Sequence, residues 1–278
     1  MTVLLFSLIV LVGSFLAGLV GSLTGLGGGV VIIPMLTLLF GVDIHYAIGA
    51  SLISVIATSS GAAAAYVKEG ISNIRIGMFL EIATTLGAVG GAMIAVYAPT
   101  DIIAVVFGFV LIFSAAISLK KKSENLVQYR SGKIAHILKL NSSYPTEHGE
   151  IRYAAHNVPG GFIMMAIAGL ISGLLGIGSG ALKVIAMDHF MKLPFKVSTT
   201  TSNFMIGVTA AASAGIYMQR GYINPGLSMP VVLGVMAGAF LGSKILVKSK
   251  TKWLRILFAC IITFLALQMI YNGITGKI

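Results

Sequence analysis

Eight apolar stretches, at residues 2–20, 47–67, 76–98, 102–119, 159–175, 197–218, 227–241 and 253–270, recur along a chain of 278 residues. A helix needs ~20 such residues to cross a bilayer. The strands of a transmembrane barrel would instead show ~10-residue segments of alternating polarity, and no such alternation occurs. Only 10% of the residues are charged and 57% are hydrophobic, whereas a soluble domain uses about a quarter charged residues to cover its surface. The pattern predicts an all-α integral membrane protein of about 8 transmembrane helices, or up to 10 segments if broken helices are counted, with the lipid bilayer as its main neighbour. Residues 1–15 lack a basic region and a small-residue cleavage site, so they are expected to be retained.

The chain repeats itself. With a shift of 151, GLVGSLTGLGGG (18–29) falls on GLISGLLGIGSG (169–180), and no gap is needed for the next sixty residues. Identical pairs include Ser51/Ser202, Thr58/Thr209, Tyr66/Tyr217, Gly70/Gly221, Asn73/Asn224, Gly87/Gly238 and Gly91/Gly242. Apolar composition alone would not bring Tyr, Asn and Thr into register with glycines. The chain therefore divides into a first repeat (1–119), a polar, basic linker (120–157) and a second repeat (158–278). In the linker, Ile134, Ile137 and Leu138 suit one helical turn laid on a membrane surface, and the rest reads as solvated. Internal repeats are a common construction of transporters, with the substrate site at the repeat interface.

The formal net charge of +11 is read as basic cytoplasmic loops, with no nucleic-acid partner. Cytoplasmic loops carry the excess Lys and Arg, and this decides between two topologies. If each half crosses four times, the halves are parallel, and eleven basic residues face seven across the membrane. If residues 2–41 and their counterpart enter and return on one side, the halves are inverted. Sixteen basic residues then lie inside and only Arg220 and Lys277 outside. The inverted arrangement is favoured, with both termini outside, in a multi-pass protein of the plasma (inner) membrane.

Each half opens with a glycine segment: Gly25, Gly27, Gly28 and Gly29 in the first, and Gly176, Gly178, Ser179 and Gly180 in the second. Small residues four apart allow close helix packing. Spacing of two puts successive glycines on nearly opposite faces of a helix, and each glycine weakens a helix by ~1 kcal/mol relative to alanine. An unwound segment suits this spacing better. Its freed backbone groups must line a cavity or contact protein, and N–H groups opening the next half-helix favour an anion. Neither copy is a dinucleotide fingerprint, because no βαβ pattern follows.

These segments, with GLVGSLTGLGGGVVIIPML, GLLGIGSGALKV and KVSTTTSNFMIGVTAAASAGIYMQRGYINP, resemble the TauE/SafE family of membrane permeases over nearly the whole chain except the linker. The resemblance implies export or exchange of small sulfur-containing anions such as sulfite, sulfonates or sulfoacetate. The second copy departs from the first, with Ser179 for Gly28 and Ile185 for Pro34, so the two half-sites are not equivalent.

Several polar residues interrupt the apolar runs. Lys183 follows the second glycine segment. It is a candidate anion contact, or else a snorkelling or structurally paired lysine. Glu81 is a candidate proton-coupling carboxylate, or the partner of a lysine. Ser51, Ser202 and Asn203 open the next helix of each half and are candidate ligand donors; Ser54 and Ser198–Thr201 are weaker ones, since such hydroxyls also cap helices or bond back to the preceding turn. His45 and His189 are assigned to the interface, with Asp188 beside His189. The single cysteine, Cys260, excludes an internal disulfide and a multi-cysteine metal site. No metal and no cofactor are expected.

The reading is a secondary transporter of a small anion, with a proton as a possible coupling ion and no enzymatic activity. A channel or non-catalytic membrane subunit is the alternative. An intramembrane hydrolase ranks lower: Ser179 lacks the nucleophile-elbow pattern, because position 177 is Ile. No Walker motif is present for ATP-driven pumping by this chain. Homo-oligomerisation is left open.

Overall fold

A computed structural model describes residues 3–24, 28–68, 70–119, 133–146, 149–246 and 251–277. The first half comprises α1 (Val3–Thr24), α2 (Gly29–Pro34) continuing as a π-helical turn (Met35–Leu39), α3 (Ile44–Lys68), α4 (Ile74–Tyr97) and α5 (Thr100–Leu119). The linker holds α6 (Lys133–Ile137) and a hairpin of β1 (Ser142–Thr146) and β2 (Gly149–Tyr153). The second half comprises α7 (Val158–Leu175), α8 (Gly180–Ile185) with its π-helical turn (Ala186–Phe190), α9 (Phe195–Gln219), α10 (Pro225–Leu246) and α11 (Thr251–Ile274). The bounds of α2, its π-turn and α3 recur at the shift of 151 in α8, its π-turn and α9.

The eight long helices have 18 to 25 residues, or about 27–38 Å at ~1.5 Å per residue. Over their described residues, α4 and α7 combine the length and apolarity needed to cross a membrane. Large apolar side chains lie exposed on α1, α4, α5, α7, α10 and α11, among them Leu4, Met78, Phe109, Ile163, Phe240 and Phe264. Hydroxyls such as Ser51, Ser54, Thr84, Ser202 and Thr209 are buried. This polarity suits a lipid surround. The central pair is α3 and α9.

Several of the repeated residues have local explanations. Gly70 and Gly221 take left-handed conformations (φ +69° and +74°) just past α3 and α9, where glycine avoids the Cβ penalty. The Asn73 side chain accepts from Ile76 N at 3.0 Å and caps α4. Asn224 accepts from Gly226 N at 2.8 Å at the start of α10. Thr58 donates to the carbonyl four residues back at 2.9 Å, and Thr209 Oγ1 lies 2.9 Å from the equivalent carbonyl of Met205.

Glycines also set the helix pairing, and the pairing crosses between halves. Gly87 abuts the Ala166 carbonyl, Gly91 the Leu170 carbonyl and Gly169 the Thr84 carbonyl. Residue numbers rise together, so α4 and α7 run parallel. Gly234 abuts Leu11, Gly238 abuts Phe15 and Gly18 abuts Val235, so α10 and α1 also run parallel. Two contacts in each set map onto each other at the shift of 151: Gly87/Ala166 onto Gly238/Phe15, and Gly169/Thr84 onto Gly18/Val235. The remaining pairs join equivalent helices. Gly108 lies on Ala266 and Ile270, and Gly273 on Asp101 and Val105, so α5 and α11 run antiparallel. Gly207 lies on Ser59, and Gly49 on Tyr222 just past α9, so α3 and α9 are antiparallel too.

The linker departs from a purely solvated strand of chain. Ala135, Leu140, Tyr153 and Ala155 are buried. The Asn73 amide donates to Leu140 O at 3.3 Å and to Tyr153 Oη at 2.7 Å, and Arg75 donates to Lys139 O at 2.8 Å. Apolar residues spaced through a polar segment let it dock on the loop between α3 and α4. The expected surface turn is α6, with Ile134, Ile137 and Leu138 exposed.

Gly91 and Gly90 are neighbours with opposite surroundings. A Cβ at Gly91 would strike the Leu170 backbone, whereas one at Gly90 would meet nothing within 4 Å. Gly91→Leu should therefore cost ~3 kcal/mol or more and give little monodisperse protein on size exclusion. Gly90→Leu should elute and melt like the wild type.

Candidate functional site

The second glycine segment is unwound. α7 ends at Leu175 and α8 starts at Gly180, and between them Gly176 (φ +66°), Gly178 (φ +72°) and Ser179 (φ +42°) are left-handed. A left-handed conformation costs roughly 1–2 kcal/mol for a residue with a Cβ, so Ser179 needs compensation. Its hydroxyl donates to Ala168 O at 2.6 Å, which commits the proton that a nucleophilic serine would have to surrender. In the first segment, Gly28 is right-handed (φ −68°) and buried, packed against the Val235 side chain. Gly25 and Gly27 lie outside the described residues.

The two segments meet. A Cβ at Gly29 would come within 2.5 Å of Ser51 Oγ and 3.4 Å of Gly176 O. Gly178 packs between Val55 and Ile206, near the mid-lengths of α3 and α9. Ser51 donates to Gly176 O at 2.8 Å and Ser202 donates to Gly180 O at 3.2 Å. Of the two serines expected as ligand donors, Ser51 thus satisfies a carbonyl freed at the end of α7, and Ser202 ties the start of α8 to α9. Asn203 is half-buried on α9. Thr199 and Thr200 donate to carbonyls of their own helix, and Thr201 accepts from Asn73 N at 3.0 Å.

Lys183 and Glu81 come together within the protein. Lys183, on α8, is fully buried, and Glu81, on α4, is 7% exposed. Among the described residues no direct ion pair joins them. Thr209 stands between: Lys183 Nζ donates to Thr209 Oγ1 at 2.5 Å and to Met205 O at 3.2 Å, and Thr209 Oγ1 lies 2.6 Å from Glu81 Oε1. Thr85 also donates to Oε1, at 3.3 Å. Glu81 Oε2 is buried without a hydrogen-bond partner among the described residues.

A cavity of about 500 Å³ adjoins this cluster, lined by Met78, Glu81, Ile82, Thr85, Leu86, Phe204 and Val208. It opens between α4 and α9, where Met78, Ile82, Leu86 and Val208 are exposed. At the shift of 151, the positions of Lys183, Thr209 and Glu81 correspond to Ile32, Thr58 and Val232. The cluster is therefore charged in one half-site only. Sequence reasoning missed Thr209 as a bridge. Its signal was the Thr58/Thr209 identity and its place seven residues after Ser202, two turns along the same face.

The other candidates lie apart. His45 is buried at the start of α3: Nδ1 lies 3.1 Å from Asp43, Nε2 lies 3.0 Å from Ala95 O, and the ring stacks on Tyr222. His189 is exposed, with Nδ1 3.5 Å from buried Asp188. Cys260 is exposed on α11. No group of three His, Cys, Asp or Glu side chains that could hold a metal occurs among the described residues.

Residues 10–269 match the family described as Sulfite exporter TauE/SafE. The chain belongs to the TauE/SafE family. It is 30% identical to the probable membrane transporter protein YunE of Bacillus subtilis, over 97% of this chain and 98% of that protein. It is 29% identical to YdhB of the same organism, another probable membrane transporter protein, over 85% and 89%. A probable membrane transporter protein of Methanocaldococcus jannaschii is 25% identical over 96% of both chains. No solved structure matches the chain. TauE/SafE membership makes it a membrane transporter, and sulfite and organosulfonates are the known substrates of that family.

Gly178 carries a sharp test of the broken helix. Its φ of +72° disfavours any Cβ, and a Cβ would come within 2.8 Å of Ile206 Cγ2. Gly178→Ala should lower solute flux in reconstituted vesicles by tenfold or more at normal membrane insertion. Ser179→Gly, which relieves a strained φ but gives up one hydroxyl bond, should shift the melting temperature by only a few degrees, by ~1 kcal/mol of opposed effects.

Proposed function

We propose that this TauE/SafE protein is a secondary transporter of a small sulfur-containing anion such as sulfite, a sulfonate or sulfoacetate. The substrate site lies at the repeat interface beside the two glycine segments, with Lys183 as the fixed positive charge and Glu81 as the proton-coupling group. The observation that carries this reading is a fully buried lysine three residues past an unwound segment inside the membrane protein. An intramembrane charge is costly and by default functional. Substrate sites of transporters form where helices break.

The proposed architecture is a pair of inverted repeats in the plasma (inner) membrane, with eight crossing helices and two shorter returning segments, α2 and α8 with their π-turns. The antiparallel courses of α5 against α11 and of α3 against α9 support it. Equivalent helices related by an axis along the membrane normal would run parallel; an axis in the membrane plane makes them antiparallel. Following these directions, α1 and α3 run the same way, α4 returns and α5 runs with α3, while each counterpart runs oppositely. The linker and the helix ends and loop holding Lys68, Arg75, Lys192, Lys196 and Lys244 then fall on one side, and Arg220 and Lys277 on the other. That is the distribution the positive-inside rule requires.

Solute flux into vesicles, with and without an imposed proton gradient, tests the transport reading. Lys183→Met should weaken anion binding ten- to a hundredfold, the value of one charge-assisted contact of about 1.5–3 kcal/mol. Equal affinities in folded wild type and variant would remove Lys183 from the site. For topology, a reporter active only in the cytoplasm should be silent when fused after Ile278 and active when inserted in the linker. The reverse pattern would overturn the proposed orientation, and activity at both places would return the parallel arrangement.

A further inference from the structure

We infer that one proton binds Glu81 for each anion bound at Lys183, with Thr209 as the residue that links the two events. The inference rests on the site reading above and adds to it an obligatory one-to-one stoichiometry. It also assigns a positioning role to Thr209.

The argument begins with charge. Lys183 and Glu81 balance each other through a single hydroxyl: Lys183 Nζ donates to Thr209 Oγ1, whose own proton points to Glu81 Oε1 at 2.6 Å. Among the described residues, no other ionisable side chain is hydrogen-bonded to the cluster; the π-helical turn after α8 carries buried Asp188, which has His189 Nδ1 3.5 Å away. α7 carries no titratable residue. On α9, Lys196 lies at the first turn, and the Tyr217 hydroxyl is directed at the Gly173 carbonyl. On α4, Arg75 and Tyr97 lie at opposite ends. On α8, Lys183 is the only charge. The centre is therefore neutral as it stands.

An anion arriving alone would leave it with one uncompensated negative charge in a low-dielectric interior, which costs several kcal/mol. A proton arriving alone would leave Lys183 as an unpaired buried cation, with a similar cost. Both together restore neutrality. Linkage is reciprocal, so each ligand raises the affinity for the other by the same factor.

Geometry supplies a place for the proton. Glu81 Oε1 is occupied by Thr209 and Thr85, while Oε2 has no partner among the described residues. Protonation at Oε2 removes the negative charge without breaking a hydrogen bond. The cavity of about 500 Å³ borders Glu81 on the α4–α9 face. Once Glu81 is neutral, Thr209 no longer needs to direct its proton there. A rotated Thr209 hydroxyl and the Lys183 ammonium then both donate to a sulfonate oxygen. No covalent bond changes, apart from one O–H formed at Glu81 with a proton from solution.

The test is calorimetric titration of purified protein with methanesulfonate, whose charge does not change with pH, in buffers of different ionisation enthalpy. The wild type should take up about one proton per anion, and its affinity should fall about tenfold per pH unit on the alkaline side. Glu81→Gln should bind without proton uptake and without pH dependence. Thr209→Ser should keep the linkage, Thr209→Val should cut uptake below half a proton, and Thr199→Val on the same helix should change nothing. Wild-type binding with no proton uptake between pH 6 and 9 would overturn the inference while leaving the site intact. So would full uptake in Glu81→Gln. If methanesulfonate, sulfite and sulfoacetate all fail to bind the folded wild type, the site reading falls and the inference falls with it.

Discussion

A helix that stops inside a bilayer exposes carbonyls to a medium that cannot hydrogen-bond them, and each one left bare costs several kcal/mol. At the break, hydroxyls from other helices bond the Gly176 carbonyl at the end of α7 and the Gly180 carbonyl at the start of α8. Ser51 comes from the opposite repeat and Ser202 from the adjoining helix. These contacts fix where α3 and α9 can sit, and those helices in turn hold the pairs α1–α10 and α4–α7 around them. The glycines at the crossings allow backbones to touch, so packing follows the small side chains rather than any hydrophobic drive between helices in lipid. The break also positions the chemistry. It starts α8 near the mid-length of α9, and Lys183 reaches Thr209 as a result.

Much of this was legible in the sequence, for identifiable reasons. Apolar runs report helices, because a bilayer imposes one length on all of them. The register of 151 was visible because the same structural demand, such as a cap at Asn73 and Asn224 or a left-handed turn at Gly70 and Gly221, selects the same residue twice. Lys183 and Glu81 stood out because a charge in an apolar run is rare. The bridge at Thr209 was not legible, since a threonine in a membrane helix commonly bonds back to its own backbone. Thr209 does that as well, and only the third dimension shows its second partner. Ser51 and Ser202 were singled out as ligand donors, and their donor protons go to backbone carbonyls. Sequence marks a polar group as needed without saying which acceptor needs it. The docked hairpin at β1 and β2 was hidden for a different reason: its apolar residues are too few and too scattered to stand out from a polar linker.

The fold is close to symmetric, and its electrostatics are not. Ile32, Thr58 and Val232 occupy in one half-site the positions that Lys183, Thr209 and Glu81 occupy in the other. A duplicated unit needs neither charge for packing, because the apolar copy packs without them. The charged members come from different repeats, Glu81 from the first and Lys183 from the second. The charge pair therefore bridges the two halves of the chain. Symmetry supplies two related arrangements of the same backbone, and the charge pair makes one half-site electrically distinct.

The intervening hydroxyl also sets how firmly the pair is held. The two legs of 2.5 and 2.6 Å keep Nζ and Oε1 no more than about 5 Å apart, yet the structure contains no direct ion pair between them. Unit charges ~5 Å apart attract by about 3 kcal/mol at an effective dielectric constant near 20, against about 4 kcal/mol at ~4 Å. A contact pair would add a charge-assisted hydrogen bond to that attraction and would be correspondingly harder to open for a ligand. With a threonine between them, each charge keeps a hydrogen-bond partner, while neither is locked to the other. Thr209 can turn its proton to Met205 O, 2.9 Å away, when Glu81 is neutralised, so opening the pair strands no buried hydroxyl. A buried charge pair built only for stability would gain from closer contact. Under the proposed reading the pair opens to admit a ligand, and a bridge that can change partners suits that task.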